Sequence, residues 1–119
     1  MVQNGLPYDK AFNLITKVLD TYDFLRVKKK EFLLSRQLLR SGASIETNLA
    51  EAKDANPEDF SDKINTAYKG CLETRYWLSL LKETDNIDEQ TYRSLLNDVS
   101  ELSRMLFPIL RAISTNNLN

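Results

Sequence analysis

The sequence predicts an all-α protein, an antiparallel up-down-up-down four-helix bundle, and three observations predict it. Apolar residues recur at spacings of three and four through most of the chain, the pattern of helices that each bury one face. Three glycines and three prolines in 119 residues leave few breaks. No Val/Ile/Thr-rich alternating run suggests a strand.

The first helix starts at Pro7, which suits the first helical position because its missing N–H costs nothing there. Ala11, Leu14, Ile15, Val18, Tyr22 and Leu25 mark one face, and the helix is expected to end near Arg26–Lys30. A second helix is expected from about Glu31 to Lys53 on the face of Leu34, Leu38, Ile45 and Leu49. Asn56-Pro57-Glu58-Asp59 reads as a restart, with Asn56 accepting from a first-turn N–H, Pro57 first in the helix and two acids at its positive end. The third helix follows with Phe60, Ile64, Ala67, Cys71, Leu78 and Leu81. Asp88 caps a fourth, in which Tyr92, Leu95, Val99, Leu102, Leu106, Ile109 and Ile113 keep the spacing. Pro108 is expected to bend or loosen its end. Helices of about 23–28 residues, roughly 35–42 Å long, joined by short connections must pack antiparallel. The chain reads as one domain over residues 1–119, with no internal repeat.

The apolar fraction of 42% and charged fraction of 28% are those of a globular protein. A formal net charge of −1 provides no global pull toward nucleic acid or membrane. No apolar run is long enough to span a bilayer, and no signal pattern opens the chain, so a cytoplasmic protein is expected. The single cysteine, Cys71, excludes an intramolecular disulfide and falls on the core stripe. The absence of histidine removes the commonest metal ligand and the usual neutral-pH base. Glu46, Glu51, Glu58, Asp59 and Glu73 lack the histidines of di-metal bundles, so neither metal nor cofactor is expected.

Helix two carries an uncharged polar stripe, Gln37, Ser41, Ser44 and Asn48, beside its apolar one. Arg40, Ser44 and Asn48 follow at steps of four, with Glu51 just beyond. They contain no nucleophile–base pair, and we read them as a polar network fixing helix register, in which Arg40 pairs with Glu51 or Glu73.

Helices two and three also carry more apolar surface than one bundle needs. Tyr68, Leu72, Tyr76 and Leu80 form a second stripe on helix three, and Phe32, Leu39, Ala43 and Ala50 a second line on helix two. Tyrosines at a core boundary with wet hydroxyls would explain part of this. Burial between subunits, where aromatic residues are enriched, explains more of it, and a homo-oligomer is the expectation. Trp77 and Tyr76 could stack on bases, but interface packing is favoured.

Arg26, Lys28, Lys29, Lys30, Arg36 and Arg40, opposed only by Glu31, make the one basic cluster. Such a cluster can neutralise phosphates, which makes RNA a candidate partner. Against this, Glu46, Glu51, Asp54, Glu58, Asp59 and Asp62 follow closely, and a solvated charge run is the competing reading.

Gln37, Leu38, Arg40, Ser41, Ser44, Ile45, Asn48, Leu49, Ala50 and Glu51 match a pattern Gln-Leu-x-Arg-small-x-x-Ser-Ile-x-x-Asn-(Ile/Leu)-Ala-Glu. Phe60, Lys63, Ala67, Glu73 and Leu78 match a second element. With them the chain resembles a bacterial four-helix-bundle family whose founding members are encoded in intervening sequences of large-subunit ribosomal RNA genes. It departs at Ala52, where the family usually has glycine, and lacks a Trp-rich start. The resemblance implies a homopentamer in a group with no established enzymatic activity, and the missing catalytic and metal constellations make a non-enzymatic bundle the expectation. Through a relative, the accessory protein of diversity-generating retroelements, it also implies RNA or a reverse transcriptase as partner.

Overall fold

The computed structural model describes residues 6–118, with side chains through residue 115. Four helices follow in order: α1 (Pro7–Val27), α2 (Leu34–Ala52), α3 (Pro57–Glu83) and α4 (Glu89–Leu118). Each packs against two neighbours, α1 on α2, α2 on α3, α3 on α4 and α4 back on α1, with no diagonal contact among the described residues. That pattern is the up-down-up-down bundle. Its longest extent is 51 Å, matching the about 45 Å expected for a helix as long as α4. α4 continues through Pro108, which is exposed on the outer side. There the Arg104 carbonyl, which loses its helical donor, belongs to another exposed residue.

The ends of the helices follow local chemistry. Asn56 Oδ1 accepts from the Asp59 N–H at 2.8 Å, and Asp88 Oδ1 from the Thr91 N–H at 2.8 Å. The Thr91 bonds hold the Asp88 carboxyl below its ordinary range. α2 begins at Leu34 rather than Glu31, and the reason is Glu31 itself. Its carboxylate accepts from the N–H groups of Leu33, Leu34 and Ser35 at 3.2, 2.9 and 2.7 Å, so it stands before the helix and caps it. Phe32 therefore lies in the α1–α2 turn and not in line with Leu39 and Ala43 on one helix.

The α1–α2 and α3–α4 turns sit together at one end. Each places a non-glycine residue in the left-handed region, Lys30 at φ 54° and Asp85 at φ 60°. Around Asp85 the pattern is a Schellman motif, with the Asp85 N–H on the Lys82 carbonyl at 3.1 Å and the Asn86 N–H on the Leu81 carbonyl at 2.9 Å. Lys29 Nζ donates to the Asp85 carbonyl at 3.2 Å and ties the two turns.

The core runs the length of the bundle through Leu14, Val18, Leu25, Leu38, Ile45, Ala67, Cys71, Leu78, Leu95, Val99, Leu102 and Leu106, all buried. Burial pushes the Cys71 thiol up to about 12, with Arg75 pulling weakly the other way. Ion pairs stitch the outside: Lys10 to Glu101 and Lys17 to Asp98 between α1 and α4, Glu51 to Lys63 between α2 and α3, and Lys82 to Glu89 between α3 and α4. Lys10 holds Glu101 below the ordinary carboxylate range, and Lys82 with Arg93 does the same for Glu89.

The two helical glycines differ in kind. A Cβ on Gly42 would meet Ile15 Cδ1 at 3.4 Å and Val18 at 3.5 Å, ordinary contact. A Cβ on Gly70 would stand 2.8 Å from Ile45 Cγ1 and 3.3 Å from the Ser41 carbonyl, so α2 and α3 meet there at a distance only glycine permits. Gly70→Ala is therefore expected to lower unfolding free energy by about 1–3 kcal/mol. Gly42→Ala should raise it by up to about 1 kcal/mol through helix propensity. Chemical denaturation of the two variants measures both signs.

Candidate functional site

The polar motif of α2 divides into parts facing different ways. Ser41 points inward and is buried against α3, where Thr74 Oγ1 donates to Ser41 Oγ at 2.8 Å and Ser41 Oγ donates to the Leu38 carbonyl at 3.1 Å. Ser44 and Asn48 are half-buried, and Asn48 Nδ2 donates back to the Ser44 carbonyl at 2.7 Å within the helix. Gln37 is half-buried and Arg40 exposed. Glu51 pairs with Lys63 at 2.6 Å, not with Arg40, which forms no ion pair among the described residues. Among the described residues of the motif, Ser41 makes the buried hydrogen bond between two helices and Glu51 the exposed ion pair, and Thr74 is not among the residues the sequence singles out. Its place on the Cys71/Leu78 stripe of α3 was the available signal. Among the described residues no group of three or more His, Cys, Asp or Glu stands close enough to hold a metal ion.

Arg26, Lys28, Lys29, Lys30, Arg36 and Arg40 are all exposed at or near the two-turn end. None pairs with a carboxylate among the described residues. Glu31, the one acid within the cluster, is occupied in capping α2. The Arg26 guanidinium lies 5.3 Å from the Tyr22 ring centroid and 5.9 Å from that of Phe32.

The surplus apolar surface gathers into two faces. On one side, α3 presents Tyr68, Leu72 and Tyr76 beside Phe107, Leu96 and Tyr92 of α4. The Tyr68 and Phe107 rings stand 6.1 Å apart, and Leu72, Tyr76, Tyr92 and Leu96 line one shallow groove. Leu72 and Tyr76 are exposed, Tyr76 to 57%, while Tyr68, Leu80 and Trp77 are half-buried. On the other side, the α1 line Tyr8, Phe12, Ile15, Leu19 and Tyr22 runs beside α2. Two neighbours relate this line to α2, Glu46 beside the Tyr8 hydroxyl and Ile15 against Gly42, while Arg26 lies over both Tyr22 and Phe32 of the adjoining turn. Phe12, Leu19 and Phe32 are exposed there, and Leu39 and Ala43 are half-buried. In the sequence, Ile15 and Tyr22 of this line read as part of the α1 core face, and Phe12 and Leu19 belong to no face, so the α1 half of the surface is not apparent there.

The architecture and surfaces define an all-helical bundle with aromatic outer faces. The chain belongs to the family described as 23S rRNA-intervening sequence protein, which it matches over residues 6–107. It is also similar to a crystal structure from Bacteroides thetaiotaomicron, a protein of unknown function from the S23 ribosomal protein family. The two share 40% identity, with 88% of this chain and 98% of that one covered and a TM-score of 0.86. No curated protein matches the chain. Neither description names a catalytic activity.

The Ser41–Thr74 pair makes an asymmetric prediction. Ser41→Ala leaves the buried Thr74 hydroxyl without its acceptor and should cost about 1–3 kcal/mol. Thr74→Val removes the donor while Ser41 keeps the Leu38 carbonyl, and should cost only about 0.5–1.5 kcal/mol. Equilibrium denaturation of both variants checks the order.

Proposed function

We propose that the protein is a non-enzymatic, self-assembling helical scaffold of the cytoplasm, in which the α1/α2 face of one copy docks on the α3/α4 face of the next. The observation that carries this reading is the presence of two dissimilar aromatic faces, Phe12/Leu19/Phe32 and Tyr68/Leu72/Tyr76/Phe107, on opposite helix pairs. Two different patches that meet make a heterologous contact, which closes into a ring when the rotation per subunit allows. The family resemblance, which implies a homopentamer, makes five the favoured number. Exposed aromatic and aliphatic side chains gathered in this way are what subunit contacts bury.

Light scattering at micromolar concentration should return five times the 13.7 kDa chain mass. Leu72→Asp on one face and Phe12→Asp on the other should each yield a folded, helical monomer. A monomeric parent protein would refute the assembly.

A second reading, RNA binding in association with a reverse transcriptase, is favoured by the exposed basic cluster, which pairs with no carboxylate among the described residues. A ring would repeat that cluster in every subunit and multiply its effect. RNA held this way should weaken by orders of magnitude between about 50 and 200 mM salt. Changing Lys28, Lys29 and Lys30 together to Glu should abolish it. No binding at low salt, or no loss in the triple variant, would leave the scaffold reading alone.

A further inference from the structure

At the end of the bundle opposite the basic turns, the starts of α1 and α3, the end of α2 and the far part of α4 surround a cavity of about 420 Å³. Its walls are mostly hydrocarbon, with Leu49, Phe60, Ile64 and Ile109 among them. Two charged residues line it, Asp9 and Lys53. Lys53 is exposed, its ammonium 4.5 Å from the centroid of the Tyr8 ring. Asp9 is only 5% exposed, and its Oδ2 has no hydrogen-bond partner among the described residues. The two form no ion pair.

Asp9 lies in the first turn of α1, where free amide donors would ordinarily meet a carboxylate. Here the first helical residue is Pro7, which has no N–H, and no side chain caps the helix. A buried polar oxygen with no donor is costly and uncommon in native folds, and calls for an explanation. Asp9 is among the residues that line the cavity, which places its carboxyl in the cavity wall.

We propose that this cavity binds a small apolar primary amine. The ammonium donates to the Asp9 carboxyl, and the hydrocarbon body lies against Leu49, Phe60, Ile64 and Ile109. Lys53, held on the Tyr8 ring at the rim, leaves Asp9 to select the ligand's polar group. The recognition is charge-assisted at one point and otherwise apolar, the usual division of labour in a small-molecule pocket.

Phenethylamine is a suitable probe, read by amide chemical shifts of the full chain. Saturable shifts are expected around residues 6–10, 49–53 and 60–64. The uncharged 2-phenylethanol should bind more weakly, and the anionic 3-phenylpropanoate more weakly still. Asp9→Asn should weaken the amine about tenfold to a hundredfold, the worth of a hydrogen bond to a charged group. Ala52→Leu, which fills the cavity and leaves Asp9 in place, should abolish binding even if the Asn variant folds poorly. Lys53→Met should keep it. Absence of saturable shifts at millimolar amine overturns the proposal, as does an alcohol that binds as well as the amine. Tighter binding of the carboxylate would assign recognition to Lys53, and equal binding by a folded Asp9→Asn variant would remove Asp9 from it. Each of these results also overturns the proposal.

Discussion

The close approach of α2 and α3 at Gly70 sets the terms for the rest of the bundle. Where the Gly70 position faces Ile45 and the Ser41 carbonyl, the helices are too near for a methyl group, and that nearness allows Thr74 to reach Ser41 across a dry interface. An apolar seam alone could slide by a turn at modest cost. A buried hydroxyl pair tied to one carbonyl has a single satisfied register, so the pair adds specificity that burial area does not. With α2 and α3 fixed, the inward stripes of α1 and α4 close over them, and their outward stripes are committed to solvent or to another chain.

The molecule is polarised along its axis as well as around it. One end gathers both left-handed turns and six cations that pair with no carboxylate among the described residues. The other gathers the apolar cavity and a buried acid. A near-zero net charge conceals this, because the sum over a chain carries no information about where its charges lie.

Much of the fold was legible because helix starts depend on short-range chemistry. Asn56-Pro57 and Asp88 announce α3 and α4 from the sequence alone, and the structure places their side chains on the expected first-turn amides. Glu31 was misjudged as helix because periodicity cannot separate a capping residue from the turn it caps. The candidate site was less legible. Periodicity shows that a helix has an apolar stripe, but not which neighbour covers it, so Ile15 and Tyr22 read as one face with Leu14 and Val18, and the exposed Phe12 and Leu19 beside them belong to no face in the sequence. Arg40 and Glu51 looked like partners on one helix, yet Lys63 of α3 is nearer Glu51. Asp9 gave no sign in the sequence, because an acid in a first helical turn is ordinary and its isolation is a tertiary fact.

The bundle's helix contacts join neighbours along the chain, except for the α1–α4 seam. That seam carries Lys10–Glu101 and Lys17–Asp98 on its outside, with Lys17 reaching Ser94 as well. Topologically the protein is a ribbon of three helical hairpins closed by a single long-range join. Mostly local contacts favour fast folding, and the loop entropy of bringing the first helix to the last is met only at closure. The first and last helices thus meet only at that join, and either can part there while its hairpin partner stays packed. The α1–α4 seam carries two exposed ion pairs against one each on the α2–α3 and α3–α4 seams, so salt weakens it most, and a terminal helix released there is a segment one copy could lend to another.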